Sequence, residues 1–406
     1  MVGRLLGDPD VWDGTPAPPR PGRRGVAALS AGLLAGAVLG FVLAPRPPPP
    51  VPTVVLPPAA TDQAPALVHA ETTLRLLSPA GPLLMATSDR LDQVNLDGGG
   101  RRTVLDQPGR VAAAVPGRGG APLLALAGTE VVAVEGAGGP AARGPAGFRA
   151  AGLAGDGRQA LACGVRKGPD GRDRLAGLFL PAGGGPAKAV QAGCPVAWAA
   201  RANVAAAAAA PAARLRGALS GTSVVTGPPG GPLRPLVDRA RLEAASGPGA
   251  VVGALAVSPD GKLVAIAAGP PGGRWAVLVV PAGGGAGTRI PLAPGHEAAW
   301  VGWAHNDDHG ARLAVAALDR RGALGQAALA GRAGGGYLLV WEPRSRSSSM
   351  PLGGAALSRA DGFAWSPGGD ALAVSSPRGL AVSKVGETAV TGSELGGVLL
   401  AWEAGG

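Results

Sequence analysis

Residues 251–292 read VVGALAVSPDGKLVAIAAGPPGGRWAVLVVPAGGGAGTRIPL. Three apolar runs, Ala254–Val257, Leu263–Ala267 and Trp275–Val280, are cut by the turn Ser258, Pro259, Asp260, Gly261 and by a glycine-rich linker, and Thr288–Leu292 makes a fourth run. Pro259 pre-sets φ for a tight turn, and Gly261 supplies the φ > 0 corner that a hairpin needs. The stretch predicts one antiparallel unit of four strands. Such a unit has two open faces and cannot bury them alone, so it predicts repetition along the chain.

The repetition is present. The turn recurs as Ser78–Gly81 and as Ser366, Pro367, Gly368, Gly369, with a degraded form at Gly155–Gly157, and apolar strands follow each: LLMAT (83–87), ALAC (160–163), LVAIA (263–267) and ALAV (371–374). A second turn recurs as Asp97–Gly100, as Glu135–Gly139 and as PAGGG at both 181–185 and 281–285. Seven units fit between residues 71 and 390 at about 46 residues each, close to the length of a four-stranded propeller blade. The fold class is therefore all-β, a seven-bladed propeller over 71–406, with six or eight blades as the alternatives. AVSPDGKLVAIAA (256–268) and AWSPGGDALAVSS (364–376) resemble the WD40-like repeats of TolB-type propellers. That resemblance implies an extracytoplasmic ring that serves protein contacts, and it carries no catalytic residues.

Three segments need separate readings. VAAAAAAPAAR (204–214) stands where the fourth unit should have a strand, and polyalanine favours helix, so this blade is expected to be irregular or partly helical. Leu236–Ala245 reads as a short inserted helix. Val398–Glu403 reads as a strand that closes the ring by joining the first blade, which removes the open edges.

Composition agrees with this reading. Gly and Pro number 70 and 41 of 406 residues, a level that without periodicity would indicate a disordered chain; here they sit between apolar runs as turn punctuation. The Ala, Gly, Pro and Arg bias fits a GC-rich, bacterial source. The net charge of +10 comes mostly from arginines distributed through loops, without interleaved aromatics, so no nucleic-acid partner is expected.

Ahead of the repeats, residues 1–24 read as a polar, disordered cytoplasmic tail. Residues 25–44, GVAALSAGLLAGAVLGFVLA, lack charge and match the length of a membrane-spanning helix. A cleaved signal peptide is the rival reading. The long apolar run and Pro45 just beyond it favour an uncleaved signal-anchor, and the arginines before it place the N-terminus inside and the ring outside the cytoplasm. Gly32, Gly36 and Gly40 share one face of that helix and offer a homodimer contact. Residues 45–70 form a proline-rich linker.

Chemistry-bearing residues are few. His305, Asp307 and His309 lie close together near His296, in the place where other units carry their turn, and read as a polar turn or as a weak metal site. Cys163 and Cys194 are the only cysteines; outside the cytoplasm they are expected to form a disulfide. The run Arg344–Ser349 reads as a loop. Nucleophile elbow, phosphate loop and dinucleotide fingerprint are all missing from the sequence, and no cofactor is implied. Two functions remain open. One is a membrane-anchored, non-catalytic scaffold or sensor that holds a protein or cell-envelope polymer. The other is an exported hydrolase or lyase with acidic residues in the central funnel.

Overall fold

The structure, a computed structural model, describes residues 81–403 except 107–110, 116–122, 135–146, 157–158, 182–185, 200, 216–217, 305–310, 320–335, 346, 355–356, 358–359, 378, 386–389 and 394. Within these, seven antiparallel sheets follow one another along the chain, six of four strands and one with three described strands. Seven blades, rather than six or eight, make the ring.

Blade 1 combines β1 (Leu83–Ala86), β2 (Arg90–Val94) and β3 (Arg102–Asp106) with the last strand of the chain. Blade 2 holds β4 (Val111–Val115), β5 (Leu123–Ala127) and β6 (Glu130–Val134). Blade 3 holds β7 (Phe148–Gly155), β8 (Ala160–Lys167), β9 (Asp173–Leu180) and β10 (Lys188–Val190). Blade 4 holds β11 (Gly193–Trp198), β12 (Ala205–Leu215), β13 (Ala218–Gly227) and β14 (Arg234–Val237), and is followed by the helix α1 (Arg239–Ser246). Blade 5 is β15 (Val251–Val257), β16 (Leu263–Gly269), β17 (Ala276–Pro281) and β18 (Thr288–Pro291). Blade 6 is β19 (His296–Trp303), β20 (Leu313–Asp319), β21 (Gly336–Glu342) and β22 (Ser347–Gly354). Blade 7 is β23 (Gly362–Trp365), β24 (Ala371–Ser376), β25 (Gly379–Lys384) and β26 (Val390–Ser393), and β27 (Val398–Trp402) returns to pair with β1.

The second strand of a blade is buried on both sides, which explains why it reads as an unbroken apolar run. In β16, Val264, Ile266 and Ala268 pack toward blade 4, while Ala265 and Ala267 pack toward blade 6. The same period-two logic removes the helical alternative at 204–214, while the irregular one holds, since the β12–β13 register shifts between Ala209 and Ala212. Ala205 and Ala207 face the blade 3 side, Ala206 and Ala208 face blade 5, and all four are fully buried in β12. Pairing on both edges and burial on both faces outweigh an intrinsic preference worth only tenths of a kcal/mol per residue. The inserted helix is present but begins at Arg239, because Leu236 and Val237 still belong to β14. Its start is set by Asp238, whose carboxylate accepts the Arg241 amide at 2.8 Å.

The serine turns are built by their own side chains. Ser258 is buried; its Oγ accepts the Leu263 amide at 2.9 Å and donates to Asp260 Oδ1 at 2.7 Å, and Gly261 turns the corner at φ 72°. Ser366 repeats this with Ala371 and Asp370. Neighbouring blades are also pinned by indoles at the ends of first strands. Trp303 Nε1 donates to the Ala256 carbonyl at 3.3 Å and Trp365 Nε1 to the Gly302 carbonyl at 2.9 Å.

Alternation of antiparallel strands sorts the connections onto two faces of the ring. The serine turns and the third-to-fourth turns share one, here the turn face. Second-to-third turns and blade-to-blade crossovers share the other, the crossover face.

Candidate functional site on the crossover face

The first strand of each blade lines the axis of a propeller. In these seven strands the described ionisable side chains, apart from the bonded Cys194, are Arg149, His296 and Glu297. Glu297 is buried, and no acid on another first strand faces it. Among the described residues no three His, Cys, Asp or Glu side chains come close enough to hold a metal ion. His305, Asp307 and His309 lie outside the described residues, as do 1–80 with the apolar run 25–44 and Gly32, Gly36 and Gly40. Among the described residues no helix is long and apolar enough to cross a membrane.

The crossover face is uneven. Strands β12 and β13, of 11 and 10 residues, are the longest described, and they outrun their sheet. Strand β11 pairs β12 only through Ala205–Ala208, and β14 pairs β13 only through Val224–Thr226. Beyond these points the two strands continue alone as an arm. At Ala210 and Pro211 the ladder is interrupted, and hydroxyls replace it: Ser223 Oγ donates to the Ala210 carbonyl at 2.8 Å and Thr222 Oγ1 to the Pro211 carbonyl at 2.7 Å. Ser220 Oγ bonds the carbonyls of Val252 at 2.5 Å and Cys194 at 3.1 Å, which folds the arm over the first strands of blades 4 and 5. Leu215 near its tip packs on the core between blades 5 and 6.

The arm's base is covalently fixed. Cys163 of β8 and Cys194 of β11 form a disulfide with a Cα separation of 5.1 Å, joining blade 3 to blade 4. The expected bond between the chain's only two cysteines is thus present.

Beside the bond, the crossover ends of β7, β8 and β9 and the turn between the last two carry Arg149, Arg166, Lys167, Arg172 and Arg174 with Asp170 and Asp173; the register puts Arg149, Lys167 and Asp173 on one face of the sheet and Arg166 and Arg174 on the other. Arg149 Nη2 lies 2.9 Å from Asp173 Oδ2, Lys167 Nζ 3.2 Å from Asp173 Oδ1, and Arg174 Nη2 3.2 Å from Asp170 Oδ2. The hydrogen bond from Lys167, with the Arg149 charge, holds the Asp173 carboxyl below its ordinary range, and Arg174 does the same for Asp170.

A second feature lies at the closing seam, where a cleft of about 330 Å³ opens between blades 7 and 1. Thr87, Ser88, Asp361 and Ser376 supply its polar groups. Buried Ser375 donates to Asp361 Oδ1 at 2.7 Å and accepts the Leu399 amide at 2.8 Å, so the carboxylate is oriented by the closing strand.

With this geometry the chain aligns to solved structures across most of its length. A chain of a mitotic checkpoint complex matches at TM-score 0.52, with 15% identity over 84% of this chain and 97% of that one. An oligogalacturonate lyase in complex with manganese matches at 0.51, with 9% identity over 76% and 87%. TolB from Acinetobacter baumannii stands among the neighbours at 0.40, with 10% identity over 77% and 66%. These are likenesses of fold. No protein-family model matches the chain, and no curated protein matches it.

Two features escaped the reading of the sequence. The indole pins share a signature, Ala or Gly before Trp at the end of a first strand, at 302–303 and 364–365. The arm was masked by its alanines, although Thr222 and Ser223 carry the hydroxyls that satisfy its interrupted ladder and Ser220 the one that ties it to the first strands.

Proposed function

We propose that the protein is a membrane-anchored, extracytoplasmic propeller that acts as a non-catalytic scaffold, holding a partner on its crossover face. The observation that carries this reading is the composition of the first strands. Among the described residues they are mainly small and apolar, with Glu297 as the one carboxylate and Arg149 and His296 as the only other charge-bearing side chains. A hydrolase or lyase working in the funnel needs an acid and a base within reach of one reacting group. The uneven crossover face, with its arm and its cation-rich rim, supports recognition of a macromolecule. Oxidised Cys163 and Cys194 support a compartment outside the cytoplasm. Anchoring rests on the apolar run 25–44 and the arginines before it.

The test is complementation of a deletion strain. The variants Asp361→Asn and His305→Ala/His309→Ala should restore the wild-type phenotype, and protease added outside spheroplasts should digest the ring while sparing the first two dozen residues. Failure of either variant to complement, with folding and insertion intact, would replace the scaffold by an enzyme. A protease-protected ring would reverse the topology.

A further inference from the structure

We propose that the crossover rim of blade 3 is a docking surface for an extended, carboxylate-rich segment of a partner protein. The inference rests on the scaffold reading and specifies what the scaffold holds. Five cations stand at the crossover ends of three adjacent strands and in the turn that joins β8 to β9, Arg149 and Lys167 on one face of the sheet and Arg166 and Arg174 on the other, against two carboxylates. Asp173 is shared by Arg149 and Lys167, and Asp170 takes Arg174. Arg166 and Arg172 have no ion-pair partner among the described residues, and both are exposed.

The register sharpens the point. Arg166 stands directly across from Arg174, a like-charge pair that disfavours strand pairing unless an anion lies between or above it. On its other side Arg166 faces half-exposed Phe148. Four of the five cations are arginines, whose forked guanidinium matches a carboxylate with two parallel hydrogen bonds. Because both acids of the cluster keep their charge, the surplus of three positive charges is available only to an added anion.

The shape selects the occupant. Neighbouring strands lie about 4.8 Å apart, so the three strand ends span roughly 10 Å, and an extended chain laid across the end of the sheet meets the cations of both its faces. A flat anionic bilayer would instead meet the acids elsewhere on this face, Asp89 and Asp361 among them, both exposed.

The experiment uses the full chain in nanodiscs and a fluorescent hexaglutamate peptide, followed by anisotropy. Saturable binding is expected, weakened at least several-fold between about 0.05 and about 0.2 M salt. Hexaglutamine should not bind. Arg166→Gln/Arg172→Gln should weaken hexaglutamate at least fivefold without changing the melting temperature. Absence of saturable binding overturns the proposal, and so does a variant that binds as well as wild type. Anionic vesicles or a single-stranded oligonucleotide that compete through these two arginines more strongly than the peptide would overturn it too. If the peptide fails while cross-links from the arm tip to a partner persist, the scaffold reading stands and only the rim assignment falls.

Discussion

Ending the chain after Gly397 is expected to abolish cooperative folding. The truncation removes β27, which supplies the first strand of blade 1 and pairs Leu83, Leu84, Met85 and Ala86 of β1. It also removes Leu399 and Trp402, 1% and 5% exposed, from the core between blades 7 and 1. Truncating one such side chain to alanine typically costs about 2–5 kcal/mol, and whole domains are stable by only about 5–15 kcal/mol. Losing both, together with a strand's hydrogen bonds, should consume most of that margin. The fit is tight as well: a Cβ on Gly362 would come within 2.2 Å of the Leu399 carbonyl oxygen, so blade 7 admits the closing strand's backbone only where it carries glycine. Far-UV and near-UV circular dichroism during thermal melting would read the effect. A control ending after Glu403 keeps the Glu403 amide bond to the Pro82 carbonyl and should melt like the full chain. An unchanged melt after Gly397 would show that the ring does not depend on this closure.

Loss of the Cys163–Cys194 bond carries the second-largest expected effect. The sequence separation of 31 residues closes a loop whose cross-link should stabilise the fold by about 3–4 kcal/mol in the chain-entropy treatment. Cys163→Ser/Cys194→Ser should lower the denaturation midpoint accordingly with the slope little changed, and proteolysis should then reach the arm first, since Ser220 is bonded to the carbonyl of Cys194. A double variant as stable as wild type would mean that packing alone holds blades 3 and 4 together.

The blades were legible because two local rules recur along the chain: apolar runs of strand length, and glycine-closed turns, those at 78–81, 258–261 and 366–369 opening on Ser-Pro. Strand β16 and the turn at 258–261 fall where the sequence puts them, and so does the closing strand at Val398. The helical alternative for the polyalanine of blade 4 fails because an intrinsic preference was weighed without its neighbours; Ala205–Ala208 are strand because sheets on both sides bury them. The basic rim was invisible for a related reason. Arg149 lies apart in sequence from Arg166, Arg172 and Arg174, and only the pairing of β7, β8 and β9 brings it to the same end of the sheet as the others. The serine hydroxyls of the arm likewise acquire meaning once Ala210 and Pro211 interrupt the ladder they repair.

That the ring works by holding a partner on its crossover face is tested most directly by photo-cross-linking in intact cells. The photoreactive residue is placed in two variants, Ala218→p-benzoylphenylalanine at the exposed arm tip and Lys262→p-benzoylphenylalanine on the exposed turn face. A discrete adduct from position 218, with none from position 262, is the result expected. Adducts from position 262 alone, or from neither, would contradict it.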